Sequence, residues 1–214
     1  MDPLLLDLPF TGRWRVQNSP ANRVPSHGTH LLGTTYAIDF VAVDARGRSA
    51  PPSFRAVFGT EAPEGFAGFG VPVLAPVAGT VAAVHDGEPD HEARRSPLAL
   101  ARYALTQGER IRRGPPGIAG NFVVLATGSG SEAAFILLAH LRHGSTAVAV
   151  GDPVTPGMQL GECGNSGNST EPHVHVQASD SMDWDRARGL PLAFRNPETG
   201  APWLPRNADV FSAS

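Results

Sequence analysis

Apolar runs of strand length, divided by turn residues, set the first limit on how this chain can fold. Its 24 Gly and 20 Pro are spread along 214 residues, so they read as turns and not as a disordered tract. Phe10 to Asn18 alternates in polarity, and Tyr36 to Val43 is strongly apolar around one carboxylate, Asp39. Residues 72–84 read as strand, Gly79-Thr80 turn, strand. Residues 121–127 and 133–141 flank the turn Gly128-Ser129-Gly130-Ser131, a hairpin signal. Residues 148–154 and 158–161 add short strands. Turns of hairpin length make the pairing antiparallel. The expectation is a mostly β chain, one domain over residues 1–214, with 19–35 and 44–70 as loops. Residues 85–118 read as a surface insertion with one short helix around Ser96 to Gln107.

The apolar fraction of 41% and charged fraction of 17% are those of a globular protein. A net charge of −3 gives no electrostatic case for nucleic acid or for insertion into an anionic membrane. No run has the apolar length of a membrane span. Residues 1–10 are too acidic, and their apolar run too short, for a signal peptide, so the chain as written reads as cytoplasmic or as leaving by a route the sequence does not show. Nothing in the sequence sets an oligomeric state. Cys163 is the single cysteine, which excludes an intrachain disulfide and a Cys-only zinc site; it reads as a small buried residue before a turn.

The stretch with most chemistry is Glu171-Pro172-His173-Val174-His175-Val176-Gln177, which follows a turn-rich run from Gly161 to Thr170. Its alternation reads as a strand. On a strand, His173 and His175 share a face, roughly 7 Å apart. Two imidazoles so placed suit a metal ligand beside a proton-handling group. Asp39, flanked by Ile38 and Phe40, needs a partner if buried, and a metal shared with the upstream histidines His27 and His30 is a natural one.

The order of these pieces carries a resemblance. Tyr36-Ala37-Ile38-Asp39-Phe40, Ala75-Pro76-Val77-Ala78-Gly79-Thr80-Val81, Ala119-Gly120-Asn121-Phe122-Val123-Val124, His140-Leu141, Gly151-Asp152-Pro153-Val154, Gly164-Asn165-Ser166-Gly167 and His173-Val174-His175 follow one another. The set, over residues 24–178, resembles the M23 (lysostaphin or LytM-like) zinc metallopeptidases; residues 179–214 form a C-terminal extension. The resemblance implies a twisted antiparallel sheet with a groove and a peptide substrate, usually in the cross-bridge or stem of peptidoglycan. It implies one zinc per chain, held by an upstream His, Asp39 and His175, with His140 and His173 as catalytic histidines, one the general base. Family members are usually exported.

One position departs from the pattern. Most members carry His four residues before the Asp, where this chain has Thr35. In the branch sharing the Tyr-Ala-x-Asp-Phe strand the ligand comes from a loop further upstream. His27, in a Ser-His-Gly turn, matches that branch and is preferred; His30 is the alternative. Asn165, Ser166 and Asn168 would rim the groove as substrate-binding residues. His85, His91 and His143 read as surface residues. Asp180, Asp183 and Asp185 read as a solvated run, and Phe194 and Trp203 as packing the extension onto the sheet. Two other classes compete. A catalytically inactive M23-like module would bind peptidoglycan or a protein partner without hydrolysis. A biotinyl or lipoyl carrier, suggested by the Ala75-Pro76 and Gly151-Asp152 turns, fails because the chain has no lysine to modify.

Overall fold

The computed structural model describes residues 2–100, 108, 112, 114–130 and 133–214. The fold is mostly β. Its strands are β1 (Leu4–Leu6), β2 (Gly12–Gln17), β3 (Ile38–Ala42), β4 (Pro72–Leu74), β5 (Gly79–His85), β6 (Asn121–Thr127), β7 (Ala134–Leu141), β8 (Pro153–Val154), β9 (Gln159–Glu162), β10 (Val174–Ser179), β11 (Leu192–Arg195), β12 (Pro202–Trp203) and β13 (Val210–Ala213). Two short helices, α1 (Arg55–Phe58) and α2 (Pro115–Ala119), lie in the loops. Residues 97–100 are helical, and the rest of the helix expected up to Gln107 lies outside the described residues.

Eight strands form one sheet in the order β13-β2-β3-β10-β7-β6-β5-β8, with a three-stranded sheet β1-β11-β12 and a β4-β9 pair beside it. Pairing is antiparallel as the hairpin turns predict, except that β1 runs parallel to β11. Parallel pairing here joins strands from opposite ends of the chain, which no local turn signal can announce. The C-terminal stretch is not merely packed on the sheet. Its last strand, β13, is hydrogen-bonded along β2 as an edge strand, while Phe194 is buried in the core and Trp203 lies edge-on to Phe211.

Alternation assigns the two faces of the large sheet. Trp14, Val16, Ile38, Phe40, Ile136, Leu138, Val174 and Val176 point into the main core, where Leu6, Leu160 and Phe194 of the smaller sheets meet them. Phe10 stacks on Trp14 at 4.0 Å and Phe194 meets Phe40 edge-on at 5.2 Å. Each such fully buried side chain contributes roughly 1.5–3 kcal/mol before its entropy cost. The intervening residues, Asp39, His175 and Gln177 among them, stand on the opposite face. There a second apolar cluster of Phe122, Val124, Leu137 and Ala139 covers the β6–β7 side. One face thus supplies stability and leaves the other for polar groups in mid-sheet.

Candidate active site

Asp39 is the hub. His175 opposes it directly across the β3–β10 pair, with Nδ1 2.8 Å from Oδ1. His27 arrives from the loop ahead of β3 and places Nε2 3.1 Å from Oδ2. Asn18 Nδ2 donates to Oδ2 at 2.7 Å, and His173 Nε2 lies 3.8 Å from Oδ1. Asp39 is 4% exposed. Burial by itself would raise its carboxyl, but the facing His27 and His173 and the close polar contacts with His175 and His27 lower it well below the usual carboxylate range. The carboxylate is therefore ionised.

The outer contacts fix which ring nitrogens carry hydrogen. Gln177 Nε2 donates to Leu32 O at 2.9 Å, which aims Gln177 Oε1 at His175 Nε2, 3.0 Å away. His175 Nε2 must then be the N–H, and its Nδ1 lone pair faces Asp39. The Ser26 hydroxyl donates to Thr34 O, so its oxygen accepts from His27 Nδ1 at 3.0 Å, and the His27 Nε2 lone pair also faces Asp39. Two imidazole lone pairs against one carboxylate repel unless a cation lies among them. Either extra protons or a metal ion satisfies that arrangement. The ligand atoms of His27, Asp39 and His175 all lie within 4.8 Å of one another, and two imidazoles with one carboxylate are a donor set that fits zinc with a position left open.

Two further imidazoles sit alongside. The His140 ring is 4.6 Å from that of His173 and 5.8 Å from that of His175, centre to centre. Strict alternation would send His140 into the core, next to Leu138. It does not, because the β6–β7 register shifts here: Phe122 opposes Ala139 whereas Asn121 opposes Leu141. His140 is the extra residue of this bulge, in left-handed backbone with φ +63°, and the bulge re-aims its ring into the site. Its Nδ1 donates to Ser166 O at 2.9 Å, leaving Nε2 as an acceptor. Burial, then the neighbouring His173 and His175, push the His140 imidazole well below its ordinary value, so it is neutral at pH 7. His173 Nδ1 donates to Glu171 O at 2.8 Å.

The structure therefore gathers His27, Asp39, His140, His173 and His175. It does not gather His30, which is exposed and bonded to Thr35 Oγ1. Asn165 and Ser166 are fully buried, and their side-chain donors are used internally, while Asn165 Oδ1 has no partner among the described residues. Asn165 Nδ2 donates to His91 O, while the Ser166 hydroxyl donates to Leu141 O and accepts from Asn121 N. They support the loop that holds His140 and do not rim a groove; Asn168 is half-buried nearby. This loop comes close because Gly120 and Gly167 touch backbone to backbone: a Cβ on Gly120 would lie 2.5 Å from Ser166 C. His91, expected on the surface, is half-buried with Nε2 2.9 Å from Gly167 O and braces the same loop. His143 and the Asp180, Asp183 and Asp185 run are exposed. Asn18, Ser26 and Gln177 escaped the sequence reading; of these only Gln177 left a signal, the same strand face as His175.

Four histidines and one aspartate thus cluster on the polar face in mid-sheet, three of them placed so that they could hold a metal ion. Residues 101–185 match the family model described as peptidase family M23. That segment contains His140, His173 and His175. The match covers less than half of the chain and says what that segment is similar to. Among solved structures, the catalytic domain of the antimicrobial peptidase lysostaphin from Staphylococcus simulans is 16% identical, covers 84% of this chain and 88% of its own, and has a TM-score of 0.41. A variant of the catalytic domain of the prophage-encoded M23 protein EnpA from Enterococcus faecalis is 17% identical over 72% of this chain and 73% of its own, with a TM-score of 0.38. A zinc containing peptidase from Vibrio cholerae is 18% identical over 72% of this chain and 48% of its own, with a TM-score of 0.35. No curated protein matches the chain. Among the described residues no helix is long and apolar enough to cross a membrane.

Proposed function

We propose that the chain is a zinc-dependent metalloendopeptidase acting on peptide bonds of peptidoglycan stems or cross-bridges. One observation carries this reading: His27 Nε2, the Asp39 carboxylate and His175 Nδ1 converge within 4.8 Å, with their outer contacts leaving lone pairs inward. Zinc held by these three groups supplies an acidified water and a Lewis acid for the scissile carbonyl. The chain's own residues do the rest. His140, neutral and tied through Nδ1 to Ser166 O, accepts a proton at Nε2 from the attacking water and returns it to the leaving amine. His173, tied through Nδ1 to Glu171 O, stabilises the developing oxyanion when Nε2 carries a proton. The supply of the first ligand by His27 answers the absence of His at position 35, which otherwise favours an inactive binding module.

Metal content of the purified full chain by elemental mass spectrometry, with hydrolysis of peptidoglycan fragments, tests the proposal. About one zinc per chain is expected, as a single catalytic site requires. His175→Ala and His27→Ala lose it, whereas His30→Ala retains it. His140→Ala and His173→Ala keep the metal and lose about 100-fold or more in rate. Metal loss in His140→Ala with retention in His175→Ala overturns the assignment of roles.

A further inference from the structure

A cavity lies on the same face of the sheet as the site. His175, Asp39 and Gln17 oppose one another across β10, β3 and β2. One row further, Arg15 opposes Val41, and His173 leads into β10 at that level. Strands are about 4.8 Å apart, so Arg15 and His173 are separated by roughly 10 Å across β3. Beside Arg15 is a cavity of about 300 Å³ lined also by Arg48, Ser49, Arg95 and Glu171. Glu171 joins it to the site, because the residue whose carbonyl accepts from His173 Nδ1 puts its carboxylate in the cavity wall.

The charges there are unequally committed. Arg95 is held by both oxygens of Glu61, at 2.7 Å each. Glu171 Oε2 accepts the Ser49 hydroxyl at 2.6 Å. Arg15 gives one N–H to Gly47 O, and a guanidinium has further donors to offer. Arg48 forms no ion pair among the described residues; the nearby Asp44 carboxylate is used by the backbone N–H groups of Arg46 and Arg48. Arg15 and Arg48, neither within ion-pair distance of a carboxylate among the described residues, thus line one cavity.

We infer that this cavity is a subsite for a carboxylate of the peptide substrate, side-chain or terminal, held by Arg15 and Arg48. The planar guanidinium matches a carboxylate with paired N–H donors. Glu171 in the wall disfavours a doubly charged group such as phosphate. The inference takes its substrate class from the peptidase reading, and its test separates the two.

The probes are capped glycine-rich pentapeptides with one glutamate placed at each position in turn, and their glutamine counterparts. Binding is measured to the full chain carrying His175→Ala, so that no hydrolysis intervenes. At least one glutamate peptide is expected to bind about tenfold tighter than its counterpart, the scale of a charge-assisted contact. Adding Arg48→Gln or Arg15→Gln removes most of that preference. Arg48 is exposed, so its variant retains the fold, checked by an unchanged unfolding temperature. No preference at any position, or one that survives both substitutions, overturns the subsite. Hydrolysis absent from the unsubstituted chain while the glutamate preference persists counts against the peptidase reading alone.

Discussion

Gln177 decides the state of His175. Its amide is oriented by Leu32 O, and that orientation makes His175 Nε2 a donor and Nδ1 a lone pair. Gln177 is 3% exposed, so no water substitutes freely for it. Gln177→Leu keeps the volume and removes the acceptor. Zinc affinity is expected to fall about 10- to 100-fold, as for the loss of other partners that orient a metal-bound imidazole, while the metal-free fold is kept. Competition with a chromophoric chelator measures it; unchanged affinity means that the tautomer is set otherwise. The sequence singled out Asp39, His140, His173 and His175 through the ordered motifs, with His27 or His30 as a further candidate, and the structure brings the four together with His27. Their orienting partners were not legible there, since Leu32 and Gln177, or Asn18 and Asp39, meet only through the fold, and Asn18 looks like any turn residue.

At the scale of the element, the end of β7 shows what periodicity misses. The hairpin of β6 and β7 was legible from Gly128 to Ser131, and with it the placing of His140 near a strand end. The bulge was not, because nothing in Ala139-His140-Leu141 marks a residue in left-handed backbone, a conformation that costs an L-residue roughly 1–2 kcal/mol. Residues in such conformations cluster at functional sites, and His140 stands in the candidate site. The cost of that conformation is measurable by two variants that both lose the ring and the bond to Ser166 O. His140→Gly, free of the left-handed penalty, is expected to be about 1 kcal/mol more stable than His140→Ala in denaturant unfolding, with both inactive. An alanine variant as stable as the glycine variant would remove strain from the account.

On the scale of the whole molecule, the sheet's division of labour was legible in part. Alternation in β10 announced a core face and a polar face, and β3 read only as an apolar run around Asp39; the joining of β13 to β2 and β1 to β11 links chain ends that no local pattern connects. The same division gives the metal-free chain a distinctive response to acid. His140 is buried and neutral, its folded value well below the ordinary 6.5. Above pH 6.5 neither the folded nor the unfolded chain binds a proton there. Below it the unfolded chain does and the folded chain does not, so stability falls by at most about 1.4 kcal/mol per pH unit for this group. His91, also lowered mainly by burial, acts in the same direction. The depressed Asp39 contributes stability above its unfolded value of 3.8, lost only as pH falls through its lower folded value. Of these three groups, His140 and His91 respond to acid before Asp39 does. His140→Asn removes the titrating ring and tolerates left-handed backbone. Denaturant midpoints of the metal-free wild type are expected to decline from about pH 6.5 downward, and those of His140→Asn to decline less steeply. Parallel declines would mean that His140 is protonated in the folded chain, which would also remove it as the base that takes the proton of the attacking water.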